Sequence, residues 1–176
     1  MKQFVKKIHR DGRITVTLGE YGPNNNPAFR YDPESVANTI MTPAFHKQLE
    51  KGLFGEINTP KVAEGQDQYE RMTMTALDRL AFKIISIDLH YVTYQGTRRL
   101  VVRADIIPFG PFAFDMARLL EKKSKYRFGM RALANQVLDD VRVVSHIITW
   151  DIIPPNEQPE RLPTPELITD LTTIKV

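Results

Sequence analysis

Residues 82–107 read FKIISIDLHYVTYQGTRRLVVRADII, and this stretch decides the fold class. Phe82, Ile84, Ser86, Asp88 and His90 alternate with Lys83, Ile85, Ile87, Leu89 and Tyr91, the two-residue period of a strand. Gln95-Gly96-Thr97 supplies turn chemistry, and Arg99–Ile107 is a second β-rich run. The pattern predicts a long antiparallel hairpin.

Working outward, residues 3–9 and 13–18 are also β-like, joined by the turn dipeptide Asp11-Gly12. Ile14, Val16 and Leu18 alternate there with Arg13, Thr15 and Thr17, as in a half-buried strand. Gly22 to Pro27 has loop chemistry. Asp32-Pro33 opens a helix, because Asp caps and Pro suits the first turn. It runs to about Ile40; Pro43 interrupts it, and a second piece continues to Lys51 until Gly52 stops it. Residues 53–57 form a short apolar strand ending at Asn58-Thr59-Pro60, and 61–71 read as an exposed polar loop.

Downstream, the prolines of 108–111 break the strand. Residues 112–123 are an amphipathic helix with Phe112, Met116, Leu119 and Leu120 on one face. Strands follow near 126–134 and 141–153. The sum is an α+β fold, a mostly antiparallel β-barrel or sheet flanked by two or three helices. The expected division is a domain over 1–153 and an extended tail over 154–176, which opens with five prolines in twelve residues.

Composition narrows the function classes. A chain of 176 residues, 42% hydrophobic and 26% charged, is of ordinary single-domain globular type. No apolar run is long enough for a membrane span, and the start has neither the apolar core nor the cleavage site of a signal peptide. The absence of cysteine removes disulfides and thiol chemistry. His9, His46, His90 and His146 are too scattered for a local metal motif, so neither metal nor cofactor is expected. The net charge is +3, and the one dense cluster, Lys122-Lys123-Lys125-Arg127, reads as a solvated helix end rather than a nucleic-acid site.

The segments Asn25–Pro33, Gly55-Glu56-Ile57-Asn58-Thr59-Pro60, Phe128-Gly129-Met130-Arg131 and Thr149–Pro154, in this order, resemble those of the prohead (capsid-maturation) protease family of T4-like bacteriophages, whose fold is that of the herpesvirus assemblins. Asn25-Asn26-Pro27-Ala28-Phe29-Arg30-Tyr31-Asp32-Pro33 resembles its Asn-rich loop followed by Arg-x-Tyr-Pro. Gly55-Glu56-Ile57-Asn58-Thr59-Pro60 resembles its Gly-Glu-Leu-Asn-His-Pro, and Phe128-Gly129-Met130-Arg131 falls where it has Val-Ser-Ser-Arg. Thr149–Pro154 resembles its closing strand. The resemblance covers roughly 20–155 and implies a closed, mostly antiparallel barrel flanked by helices. It also implies a catalytic His where this chain has Thr59, a nucleophilic Ser where it has Gly129, and a matching Arg131 beside the nucleophile.

A Thr hydroxyl takes no proton near neutral pH, and a Gly has nothing with which to attack. No catalytic residue is therefore expected at these places. A relocated dyad finds little support. Ser145 and His146 are strand neighbours and should point to opposite faces, while Ser86 and His90 lie about 13 Å apart along one strand. Ser124 with His46 or His90 stays open, and Ser35 completes the serines. Glu56, Asp88, Asp105 and Asp151 lie in or beside strands, where paired cross-strand charges explain them better than a carboxylate dyad.

The resulting expectation is a phage virion or head-assembly structural protein, in the virion or the host cytoplasm. It would bind other phage structural proteins (capsid, scaffold, neck or tail) or a second copy of itself, without membrane or nucleic acid. The alternative is an active serine-type endopeptidase that processes capsid or scaffold proteins, and a small nucleic-acid-binding barrel is a third class.

Overall fold

In a computed structural model, the described residues are 7–22, 30–121, 126–137 and 141–154. The expected loop after Gly22, residues 3–6, Ser124, the lysines of the 122–125 cluster and the tail from 155 onward lie outside them.

The strands are β1 (Lys7–Ile8), β2 (Ile14–Tyr21), β3 (Arg30–Tyr31), β4 (Leu53–Glu56), β5 (Leu80–Tyr94), β6 (Thr97–Pro108), β7 (Arg127–Val137) and β8 (Val141–Ile153). The helices are α1 (Pro33–Ile40), α2 (Pro43–Lys51), α3 (Gln68–Thr73) and α4 (Ala113–Glu121). Where local chemistry is explicit, the boundaries follow it. The Asp32 side chain accepts from the Ser35 amide at 3.0 Å, and the Thr42 hydroxyl from the Phe45 amide at 3.2 Å, each cap followed by a proline. Gly52 ends α2 at φ 113°, a conformation that side chains resist.

The β5–β6 hairpin is the predicted one, turned at Gln95-Gly96 and slightly longer at both ends. A bulge between Ile84 and Ser86 changes which residues face inward. Before it Phe82 and Ile84 are buried; beyond it Ile87 and Leu89 turn toward the core, while Ser86 and Asp88 are exposed. One uninterrupted alternation does not run through the strand.

Among the described residues two sheets form, in the orders β1-β2-β6-β5-β4 and β3-β8-β7. All pairings are antiparallel except β3 with β8. The closed barrel implied by the resemblance is corrected here. Between the edge strand β4 and β8 no ladder forms. Side chains and one isolated parallel bridge, Ile57 with Ile152, make that junction. Four helices, rather than two or three, lie among the described residues. The core fills the space between the sheets with Leu18, Phe82, Ile84, Leu100, Ile106, Ile147, Trp150 and Ile152, and α1, α2 and α4 add Val36, Phe45, Met116 and Leu120. No helix of the described residues is long and apolar enough to cross a membrane.

The stretch expected as an exposed loop over 61–71 is half wrong. Asp67 caps α3 by accepting from the Glu70 amide at 2.8 Å, and Arg71 and Met72 are buried. The Asp67-x-x-Glu70 spacing is a helix-start signature. The surrounding polar residues masked it.

Candidate functional site

The site is built where β4 runs out beside β8. Gly55 sits so close to its neighbours that a Cβ there would fall within the Phe82 ring and against the Trp150 carbonyl. Only glycine lets the β4 edge approach this near. The next residue, Glu56, is fully buried. Its amide donates to Asp151 Oδ1 at 3.0 Å, a bond from backbone to side chain where a ladder bond would otherwise form.

The Glu56 carboxylate is held from three sides. Arg71 grips it with Nη2 at 2.6 Å from Oε1 and Nη1 at 3.0 Å from Oε2. Arg131 Nη2 donates to Glu56 Oε2 at 3.0 Å, and the Ala76 amide to the same oxygen at 3.0 Å. Arg131 also donates Nη2 to Asp151 Oδ1 at 3.0 Å, sets Nε 2.8 Å from Asp151 Oδ2, and donates Nη1 to the Met74 carbonyl at 3.1 Å. Two carboxylates and two guanidinium groups thus form a neutral buried clamp of charge-assisted bonds. It ties β4, α3, β7 and β8 together. Sequence reasoning missed Arg71, and it took Glu56 and Asp151 for ordinary cross-strand charges. Asp105 fits that simpler description, accepting from Thr15 Oγ1 at 2.6 Å and from Arg13 Nη1 at 3.2 Å.

The two carboxylates titrate in opposite directions. Burial would raise Glu56, but the Arg71 hydrogen bonds, with Arg131 and the Ala76 amide, hold it below its ordinary range. For Asp151 burial wins over Arg131 and lifts the carboxyl to about 6 from 3.8. A raised carboxyl binds its proton more tightly in the folded state, so acidification from pH 7 toward 4 should stabilise the fold through Asp151. Over about two pH units the ceiling is roughly 3 kcal/mol. Glu56 acts oppositely: its contribution is full above pH 4.5, its ordinary value, and is lost as pH falls through the lower folded value. The two contributions together predict that stability rises as pH falls from 7 to about 4.5 and turns over only below that, measurable as the urea midpoint against pH. The Asp151→Asn variant should lose the rise between pH 7 and 5; an unchanged rise would remove Asp151 as its cause.

Beyond Glu56, Ile57 bridges Ile152, and the Asn58 amide donates to the Ile152 carbonyl at 2.8 Å. Asn58 has φ 69°, the left-handed turn conformation that Asn tolerates better than most residues. Thr59 follows, half-buried. On the other side of β8, Phe128 pairs with Ile152 and Gly129 with Asp151. The Asn58-Thr59 turn and Gly129 therefore lie on opposite sides of β8, the turn beyond Ile152 and Gly129 beside Asp151. Arg131, two residues on and on the same face as Gly129, belongs to the clamp. A Cβ at Gly129 would meet only the Ile153 side chain, with Cδ1 at 2.7 Å.

Among the described residues no serine is hydrogen-bonded to a histidine. Ser145 and His146 are both exposed, contrary to simple alternation, because register shifts interrupt the β7–β8 ladder; Ser145 Oγ donates to the Leu133 carbonyl at 3.2 Å. His90 Nε2 lies 2.7 Å from Asp88 Oδ2. Ser35 Oγ donates to the Asp32 carbonyl at 2.7 Å and accepts from the Val144 amide at 2.9 Å. Nor do the described residues include a group of three metal-ligating side chains.

No curated protein and no solved structure matches the chain. Residues 2–157 do match the model of the Peptidase S80 family. That span holds both sheets, the Glu56–Arg131 clamp, Thr59 and Gly129, and the chain accordingly belongs to the Peptidase S80 family, the phage prohead proteases.

Proposed function

We propose that this chain is a phage virion or head-assembly protein that uses a prohead-protease frame to bind other proteins and performs no proteolysis. The observation that carries the reading is the pair flanking β8. Acyl transfer needs a nucleophile and a proton acceptor side by side. On the two sides of that strand the chain offers Thr59, which cannot accept the proton, and Gly129, which has no side chain with which to attack. The residues around them have structural work that is independent of catalysis. Gly55 permits the close approach, Glu56 and Arg131 clamp four elements, and Asn58 makes the turn. Such a frame keeps its shape whether or not the chemistry is present.

Binding of other head, neck or tail proteins, or of capsid or scaffold, is the role this leaves. Large apolar side chains on the outside favour it: Leu77 is 78% exposed and Phe114 72%, with Arg118 stacked on the Phe114 ring. The reading places the protein in the virion or the host cytoplasm.

The test is incubation of the purified chain with the scaffold and capsid proteins of its own phage. No specific fragments are expected, and intact-mass spectrometry after fluorophosphonate treatment should show no adduct. A discrete set of fragments, abolished by substituting one serine, would replace this reading with the endopeptidase.

A further inference from the structure

β7 begins at Arg127, opposite Ile153 near the end of β8. The Nε and Nη2 atoms of Arg127 are closed to solvent and hydrogen-bond to nothing. Among the described residues no carboxylate is paired with this guanidinium. The residue as a whole is half-buried, but two closed-off donors of a guanidinium without an acceptor are costly, and arginine does not escape by releasing its proton at physiological pH. On the other side of β8, Asn58 Oδ1 is also closed off and has no partner, although the Asn58 amide is bonded to the Ile152 carbonyl. A donor fork and an acceptor therefore flank the point at which the chain leaves β8 for Pro154.

We propose that Arg127 and Asn58 form a binding site for an acidic peptide stretch, and that its occupant is the segment directly after Pro154, with Glu157 or Glu160 giving the carboxylate. Three arguments select this occupant. The segment follows directly on Ile153-Pro154, and Ile153 is the strand partner of Arg127. Three residues reach at most about 11 Å and six about 21 Å, so both glutamates are tethered within range of it. Residues 155–176 carry Glu157, Glu160, Glu166 and Asp170 against Arg161 and Lys175, an acidic balance opposite a cation. Tethering also gives the carboxylate a high effective concentration without a large interface. An arginine fork matches a carboxylate in two parallel bonds, and the Asn58 oxygen accepts a backbone N–H of the same stretch. Burial lowers the Arg127 pKa, as expected for a guanidinium that has no anion beside it. The site is independent of whether the chain cleaves anything, so the outcome below leaves the proposed function untouched.

The test uses the full chain under native conditions and follows tryptic cleavage after Arg161. Docking protects that bond, so Arg127→Gln should accelerate cleavage by about tenfold, the loss expected for one charge-assisted contact. The double variant Glu157→Gln/Glu160→Gln leaves the sheets untouched and should do the same. Combining all three changes should add nothing further, because they remove one interaction. Cleavage after Arg103, inside β6, monitors global opening and should stay constant. Equal rates after Arg161 in the wild type and the double Gln variant, or additive effects, would overturn the proposal. So would protection that vanishes on dilution, which would place the carboxylate on a second copy.

Discussion

Replacing Arg131 with Met is expected to destabilise the fold by about 3–5 kcal/mol, the range for breaking a buried ion pair from one side. For a chain of this size that corresponds to a fall in Tm of about 10 °C or more. The size of the effect lies in what remains behind. Arg131 is 1% exposed and is shared by Glu56 and Asp151. Without it Asp151 has only the Glu56 amide, at 3.0 Å, and two carboxylates face each other in a dry interior. Arg131→Lys should recover part of the loss, since one ammonium cannot span two carboxylates and the Met74 carbonyl at once. Replacing Glu56, Asp151 and Arg131 together with apolar residues of similar volume should cost less than the single Met change. Urea unfolding of the set decides it. A loss under about 1 kcal/mol for Arg131→Met would mean that water reaches the clamp.

Gly55→Ala should be comparably severe, at about 3 kcal/mol or more. The added methyl would occupy space held by the Phe82 ring and the Trp150 carbonyl. Neither yields easily: Phe82 is fully buried and stacks edge-on against Phe128 at 5.6 Å, and the carbonyl is strand backbone. The β4 edge would have to move off β8, which weakens the Glu56 clamp and displaces the Asn58-Thr59 turn. Gly129→Ala is the control. Its methyl meets only the tip of Ile153, a side chain able to rotate, so a change within about 1 kcal/mol is expected. If both substitutions proved mild, the close β4–β8 junction would not be holding the site together. If Gly129→Ala were the worse of the two, glycine at that position would be a steric need rather than an absent nucleophile.

Much of the site's scaffold was legible in the sequence, and its chemistry was not. Gly55–Pro60 and Phe128–Arg131 stood out as two segments, and the fold sets them on either side of β8. The Arg71 arm of the clamp escaped notice because it rises from a short helix within a polar stretch. Arg127 read as one more cation in a basic cluster, and its closed-off Nε and Nη2 are set by the fold. Strand periodicity puts the neighbouring Ser145 and His146 on opposite faces; register shifts in the ladder leave both exposed.

What the sequence alone determined is what near neighbours decide. The hairpin, the Asp32 and Thr42 helix starts and the Gly52 stop depend on contacts within a few residues, whose rules are written in local order. What the tertiary structure decided are contacts between distant residues. Glu56 meets Arg71 across 15 positions, Arg131 across 75 and Asp151 across 95. A charge in a sequence carries no record of which distant charge it will face, or whether water will stand between them. Folding sets both when it closes β4 against β8 and excludes solvent from the gap.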